Sequence, residues 1–364
     1  MSKILSGELI GKKESVTEQL LLLNPHSTPF LSMVGFSTPV TQIEHQWFED
    51  EMIAYETVVT EAVVDGAATA VKVADTEPFR VDHVVKAGDE MMKVTAVDVV
   101  GKKLTVSRGY AGTSADAIAA ETKIEVLFVE GQESRDAREG RYKPRKRFSN
   151  ITQIFDETVE ISGTTAAVNQ YGIDDIYEYE KQKKQLELAL QLEKAAVNGI
   201  KYDNGNVRQM AGARSFINSN VIDLGGKDLT LPTIGDALQK IYEKGGFKTG
   251  GSYEIIAGAK QKRVISAFDQ NVIRINQGEE KRGTVVNYLT TDFGEFPVSI
   301  NNNLRADEVL IVDKNRIRLS ALQGREFSHE YLGKKGDYLQ GMIVGEYTLE
   351  FVQEAAHARI KGAK

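Results

Sequence analysis

The chain reads as an α+β protein: a strand-rich stretch, one long helix and a mixed region follow one another without strict βαβ alternation. Three observations predict this. Between Val58 and Val129, short β-branched runs alternate with turn residues. Between Asp174 and Asn198 no Gly or Pro interrupts a helical pattern. Beyond Thr230, apolar runs of strand and helix type intermix, and the chain closes on the β-prone run Met342 to Val352.

The elements follow in order. Residues 1 to about 40 carry Leu20-Leu21-Leu22-Leu23 and three prolines, Pro25, Pro29 and Pro39. Proline fixes φ and restrains the residue before it, so this segment is expected to stay extended and broken. Its leucines cannot be buried within it, which predicts that the arm lies on another surface. Val71 to Val73, Val94 to Val97, Leu104 to Val106 and Ile124 to Val126 are short alternating strands. The turn pairs Asp65-Gly66, Gly88-Asp89, Gly101-Lys102 and Gly109-Tyr110-Ala111-Gly112 separate them. They predict a small antiparallel barrel or sandwich, inserted on a long loop.

The helix from Asp174 to Asn198 starts on two acids and stops at Gly199. Its stripe is read as Ile176, Tyr179, Leu186, Leu190 and Val197. At 1.5 Å per residue it is about 36 Å long, a spar across a domain. Thr230-Leu231-Pro232 opens a second helix through Ile234, Leu238 and Ile241, closed by Gly245-Gly246. Then come a strand at Tyr253 to Ala257, a helix at Ala259 to Phe268, and strands at Val285 to Leu289, Val298 to Ile300 and Val309 to Val312.

Composition narrows the function. The 364 residues carry 45 Lys and Arg against 52 Asp and Glu, a net charge of −7. This balance is unsuited to coating nucleic acid nonspecifically. No cysteine is present, which excludes disulfides, thiolate metal sites and a cysteine nucleophile. No apolar run approaches the 18 or so residues of a membrane span, and the N-terminus lacks a secretory pattern. Gly7 to Lys13 is one residue short of a phosphate loop, and no G-x-G-x-x-G, H-E-x-x-H or G-x-S-x-G occurs. No catalytic residue and no cofactor site can be named.

Two constellations stand out. Arg135, Arg138, Arg141, Lys143, Arg145, Lys146 and Arg147 crowd one segment, with no acid between Gly140 and Phe148. A solvated face, a phosphate patch and a contact with the acidic surface of a sister subunit are the three readings. Charge complementarity in an otherwise acidic chain favours the last. Glu326-x-x-His329 and Glu354-x-x-His357 repeat a spacing used by di-iron carboxylate bundles. The bundle helices that such a site needs are missing, so a metal-dependent oxidase is the weak alternative and no metal ligand is assigned. His26, His45 and His83 have no metal-ligand spacing.

The order of parts resembles the major capsid proteins of tailed bacteriophages, in the branch with a β-rich insertion. The residues that carry the resemblance are Gly88 to Val94 with Val106 to Thr113, Thr291 to Gly294, Leu322 to Gly324, Gly345 to Glu350 and Glu354 to Ile360. Their order and spacing, over most of the chain, carry more weight than any single string. The resemblance implies the Johnson fold, shared with the herpesvirus shell. Residues 1–40 would be an N-arm and 41–150 an extended loop (the E-loop) with the inserted β-domain near 57–129. Residues 151–230 and 336–364 would form a peripheral P-domain, including the spine helix 174–198, and 231–335 an axial A-domain. It implies a non-enzymatic subunit that associates into pentamers and hexamers of an icosahedral head enclosing double-stranded DNA, made in the bacterial cytoplasm. The alternative is a phage decoration or tail structural protein. Expected partners are other copies, a portal, decoration proteins and, since Met1 lies close to the arm, a separate scaffolding protein. DNA is contacted only nonspecifically and no membrane is involved. Arg141, Lys143, Arg145, Lys146 and Arg147, at the returning base of the loop, are the expected inter-subunit salt-bridge patch.

Overall fold

A computed structural model describes residues 28–138, 140–168, 175–249, 251–268 and 288–364. The leucine run Leu20 to Leu23, Asp174 and the start of the strand expected at Val285 lie outside the described residues. The chain divides into two compact units, one running from Phe48 to Lys146 and the other built from the chain on either side of it.

Helix α1 (Pro29–Val34) replaces part of the arm expected to be extended. Pro29 sits in the first turn, where its fixed φ suits a helix and its missing N–H would have had no partner. After it the chain does extend: Ser37 N and Val40 N donate to the carbonyls of Leu319 and Ala321. Strand β1 (Glu44–Glu49) follows.

The unit from Phe48 to Lys146 holds β2 (Glu56–Val58), β3 (Ala70–Lys72), β4 (His83–Ala87), β5 (Glu90–Asp98), β6 (Lys103–Ser107) and β7 (Lys123–Val129). They are ordered β2-β7-β4-β5-β6-β3, all antiparallel. The outer strands meet: Val59 bridges Val73, Thr60 N donates to Lys72 O and Ala74 N to Val58 O, each at 3.0 Å. The sheet therefore closes as a six-stranded barrel, which leaves no open edge. Val59, Val71, Val85, Met92, Val94, Leu104, Val106 and Ile124 fill it, all at most 1% exposed. Gly88, at φ +60, turns the two-residue hairpin between β4 and β5, a backbone state open to glycine and costly for other residues. Beyond the barrel β8 (Lys146–Ile151) pairs with β1 in a two-stranded ribbon.

The other unit continues with β9 (Gln153–Ser162), α2 (Gly163–Ala167) and the long α3 (Ile176–Asn198). At 23 residues, α3 spans about 34 Å. Asp175 caps it, its Oδ1 accepting from Tyr177 N at 2.8 Å and Glu178 N at 3.2 Å. The buried face is Leu188, Leu192, Glu193, Ala196 and Val197. The expected stripe was rotated: Ile176, Tyr179, Leu186 and Leu190 are half-exposed, because the C-terminal half of the helix carries the burial.

Further along lie β10 (Tyr202–Asp203), β11 (Arg208–Gln209), α4 (Ala213–Phe216), β12 (Val221–Asp223), α5 (Leu231–Glu243), β13 (Tyr253–Ala257), α6 (Ala259–Ser266), β14 (Tyr288–Thr291), β15 (Gly294–Ile300), β16 (Val309–Asp313), β17 (Ile317–Ala321), β18 (Ser328–Gly336), β19 (Tyr338–Phe351) and β20 (Ala358–Lys361). One mixed sheet runs β12-β20-β16-β13-β15-β14. Helix α5 packs Ile234, Ala237, Leu238 and Ile241 into its core. In the second sheet β19 is the axis, paired to β9 on one side and to β18 and β17 on the other. The buried end of α3 shares a core with Phe155, Ile343, Leu349 and Phe351 of that sheet. After β19 the chain crosses to the first sheet, where β20 pairs with β12 and β16.

Candidate assembly surface

The basic run leads out of the barrel unit into β8. Its charges have in-chain partners that lie far away in sequence. Lys143 Nζ is 3.5 Å from Glu51 and 3.4 Å from Glu77, Arg145 Nε is 3.2 Å from Asp50, and Lys146 Nζ is 2.9 Å from Glu51. The missing local acids are thus supplied by residues about 65 to 95 positions upstream, which no local pattern announces. The Lys146 ammonium, by its hydrogen bond, holds the Glu51 carboxyl below its ordinary value, and Glu51 in turn raises Lys146. These are surface pairs: the Arg145 side chain is 70% exposed and that of Asp50 61%. Such pairs are worth on the order of 0–1 kcal/mol and are readily traded for other partners. Arg147 is exposed; Glu44 is held below its ordinary value by hydrogen bonds from Ser149 and Gln46 and, to a lesser extent, by the charges of Lys201 and Arg147.

Arg141 behaves differently. Its guanidinium donates to the backbone carbonyls of Glu77 and Pro78, at 2.5 and 3.0 Å. Arg138 likewise donates to Glu130 O at 2.5 Å, and Arg80 Nε to His83 Nε2 at 3.1 Å. No sequence pattern singles out Arg80. The same unit exposes large apolar side chains, with Tyr142 84%, Met52 77%, Phe48 67% and Tyr55 60% exposed. Exposed aromatics interleaved with arginines are the composition of protein contact surfaces.

The two Glu-x-x-His motifs are taken apart by the fold. His329 lies on β18 with its Nε2 2.8 Å from the Tyr177 hydroxyl. Glu354 Oε2 accepts from the backbone N–H groups of Asn218 and Ser219 at 2.9 and 3.2 Å. His357 is fully buried: its Nδ1 accepts from Asp313 N at 3.1 Å and its Nε2 faces Val352 O at 3.3 Å. Burial pushes its pKa down to about 3, so it is the neutral tautomer with the proton on Nε2. Among the described residues no group of three or more His, Asp and Glu stands at metal-holding distance. His45 Nε2 is 2.7 Å from Glu350 Oε2, and His26 lies outside the described residues.

A closed barrel, a capped long helix, one mixed and one antiparallel sheet, and a charged and aromatic surface define the subunit. A family model described as SU10 major capsid protein matches residues 3–364. The chain belongs to the SU10 major capsid protein family. Among solved structures, the cyanophage A-1(L) capsid is similar at a TM-score of 0.57 and 10% identity, covering 98% of both chains. The capsid of an empty GTA particle is similar at 0.56 and 10% identity, covering 97% of this chain and 96% of that one. That of a native GTA particle gives 0.55 and 9% identity, with 99% and 98% covered. At such identity these structures speak for the fold, a mixed α+β architecture of phage capsids. A search of curated protein sequences found no match. This SU10-family major capsid protein is a structural subunit of a head shell, and its chemistry is that of its surfaces.

Proposed function

We propose that copies of this chain associate head-to-tail into pentamers and hexamers and tile an icosahedral shell around double-stranded DNA. The match of the family model over residues 3–364 is the observation that carries this reading. In the expected partition, residues 1–40 are the arm, 41–150 the extended loop bearing the barrel, 151–230 and 336–364 the peripheral domain and 231–335 the axial domain. Laying arm and loop over neighbours buries apolar surface such as Phe36, 64% exposed just beyond α1. Obligate contacts of this kind bury roughly 2,000 Å² or more. Arg141, Lys143, Arg145, Lys146 and Arg147 are proposed as an inter-subunit patch. Their exposed in-chain pairs with Asp50 and Glu51 leave both signs of charge open to a neighbour. A scaffolding protein, a portal and decoration proteins are the further partners, synthesis is in the bacterial cytoplasm, and DNA is held without sequence readout.

Electron microscopy of the protein expressed alone, with light scattering alongside, tests the reading. Closed particles or five- and six-membered rings are expected. Discrete dimers, trimers or fibres would overturn it in favour of an accessory virion protein. Within it, changing Arg145, Lys146 and Arg147 together to Glu is expected to abolish particles while the subunit stays folded. Normal particle yield would remove the patch from the proposal.

A further inference from the structure

Three guanidiniums gather at one end of the barrel, and among the described residues no carboxylate forms an ion pair with them. Their anchors are neighbours. Arg141 is held on the carbonyls of Glu77 and Pro78, and Arg80 follows Pro78 by two residues. Arg80 Nε is held on His83 Nε2, and His83 pairs across the sheet with Val129. Arg138 is held on Glu130 O, and Glu130 N itself donates to Asp82 O at 2.8 Å. The described acids around them are already engaged: Asp82 by Arg135 and by Lys93, Glu130 by Lys93 and the Tyr110 hydroxyl, Glu77 by Lys143. Backbone carbonyls and one imidazole are therefore what Arg80, Arg138 and Arg141 have, among the described residues.

His83 adds a second, independent sign. It is 3% exposed. Because Arg80 donates to Nε2, that nitrogen is the acceptor and the ring proton is on Nδ1. Nδ1 is buried and, among the described residues, has no hydrogen-bond partner, an arrangement native proteins rarely leave unexplained. Burial first, and then the charges of Arg80, Arg141 and Arg138, push His83 down to about 4. Arg141 itself is lowered by burial and by Arg80. Arg138 and Arg141 are exposed and Arg80 half-buried, so the cluster is reached from outside.

We propose that Arg80, Arg138 and Arg141, with His83 beneath them, form an oxyanion site that receives an Asp or Glu carboxylate from a second copy of this chain. The proposal rests on the shell reading and sharpens it. Two planar guanidiniums suit the two oxygens of a carboxylate. A second copy is chosen because the chain carries 52 acids against 45 bases, so each copy offers carboxylates in excess.

Cryo-electron microscopy of assembled particles tests this directly. The expected result is a neighbouring subunit's carboxylate within 4 Å of the Arg80 and Arg141 guanidiniums. A DNA phosphate or a solvent anion there, or an empty cluster, overturns the proposal. In parallel, Arg80→Gln with Arg141→Gln is expected to lower particle yield about tenfold, with the circular dichroism of the subunit unchanged. Lys72→Gln with Lys123→Gln, two exposed lysines of the barrel unit outside the basic run, is expected to stay within about twofold of wild type. Equal effects of the two pairs, or no effect of the first, count against the site. Wild-type protein that forms no particles would sink the shell reading and this site with it. Particles with the cluster empty would sink this site alone.

Discussion

Glu193 makes the sharpest prediction about the body of the subunit. Its carboxylate is fully buried on α3 and accepts three hydrogen bonds. Oε1 takes Phe30 N at 3.0 Å and Asn301 Nδ2 at 2.7 Å, and Oε2 takes Leu31 N at 2.9 Å. Two of the donors are first-turn amides of α1, so Glu193 caps a helix that begins more than 160 residues earlier. Glu193→Gln keeps the size and offers a single oxygen to donors on both sides. Whichever way the amide turns, a buried N–H meets an N–H, at a cost of about 1–3 kcal/mol. If α1 opens locally, that is about 5- to 150-fold faster exchange, at a factor of ten per 1.4 kcal/mol. The assay is hydrogen–deuterium exchange of the peptide spanning 28–36, whose Ser32 and Gly35 amides bond within α1. Unchanged exchange there would refute the argument, as would an acceleration spread evenly over barrel and sheets. The pH dependence has a definite sign. Burial pushes Glu193 up, so the native state retains a proton that the unfolded chain has already lost. Relative to the unfolded chain, the contribution of Glu193 to subunit stability is therefore fullest below the ordinary carboxylate pKa and is lost as pH rises through the raised one. The α1 amides and Asn301 pull the other way by favouring the carboxylate; in the Gln variant the dependence is flat.

Three further outcomes are expected. His357, titrating at about 3 when folded against 6.5 unfolded, gives stability that is full above pH 6.5 and is lost as pH falls towards 3. The loss reaches about 5 kcal/mol, and denaturant titrations of His357→Gln should lack most of that slope. Glu90 and Arg108 form a bidentate pair at 2.7 Å inside the barrel unit, with side chains 3% and 5% exposed. Glu90→Gln leaves a buried guanidinium uncompensated and should cost about 3–5 kcal/mol in the barrel's unfolding transition. Replacing Glu308, Arg214 and Arg359 together by Leu, Met and Met should leave subunit stability about unchanged or raised by roughly 1–4 kcal/mol, while the diameter distribution of assembled particles broadens.

The elements with strong local chemistry were legible. The barrel strands, α3 and α5 each announce themselves by alternation, by a cap or by a proline at the first turn. Even there, local reading stops at the residue. Gly199 was read as a helix terminator, but its φ of −54° is open to any residue. The fold demands glycine there because a Cβ would stand 2.4 Å from Met210 O and 2.5 Å from Ala195 O. The stripe on α3 was misplaced because Glu193, a charged residue by its letter, belongs to the buried face. The short α1 was missed because what holds its first turn is a side chain on α3. The acids that meet the basic run were invisible for the same reason, and so was Arg80: sequence distance hides any partner brought in by topology.

Three buried carboxylates show what these long-range partners accomplish. Glu193 ties α1 and Asn301 to α3. Glu308 receives Arg214 at 2.6 and 2.7 Å and Arg359 at 2.7 Å. Glu346 receives Thr152 at 2.5 Å, Arg208 at 2.8 Å and Arg325 at 2.8 Å. Apolar packing is non-directional, and a buried ion pair gains little over a well-packed apolar substitute. A charge-assisted bond has a direction and a length, so each of these carboxylates fixes the register of segments that close packing would let slide. A shell subunit needs that more than it needs stability, because a small angular error in one copy is repeated at every contact around a ring that must close. Deleting the Glu308 network while keeping the subunit stable separates the two roles.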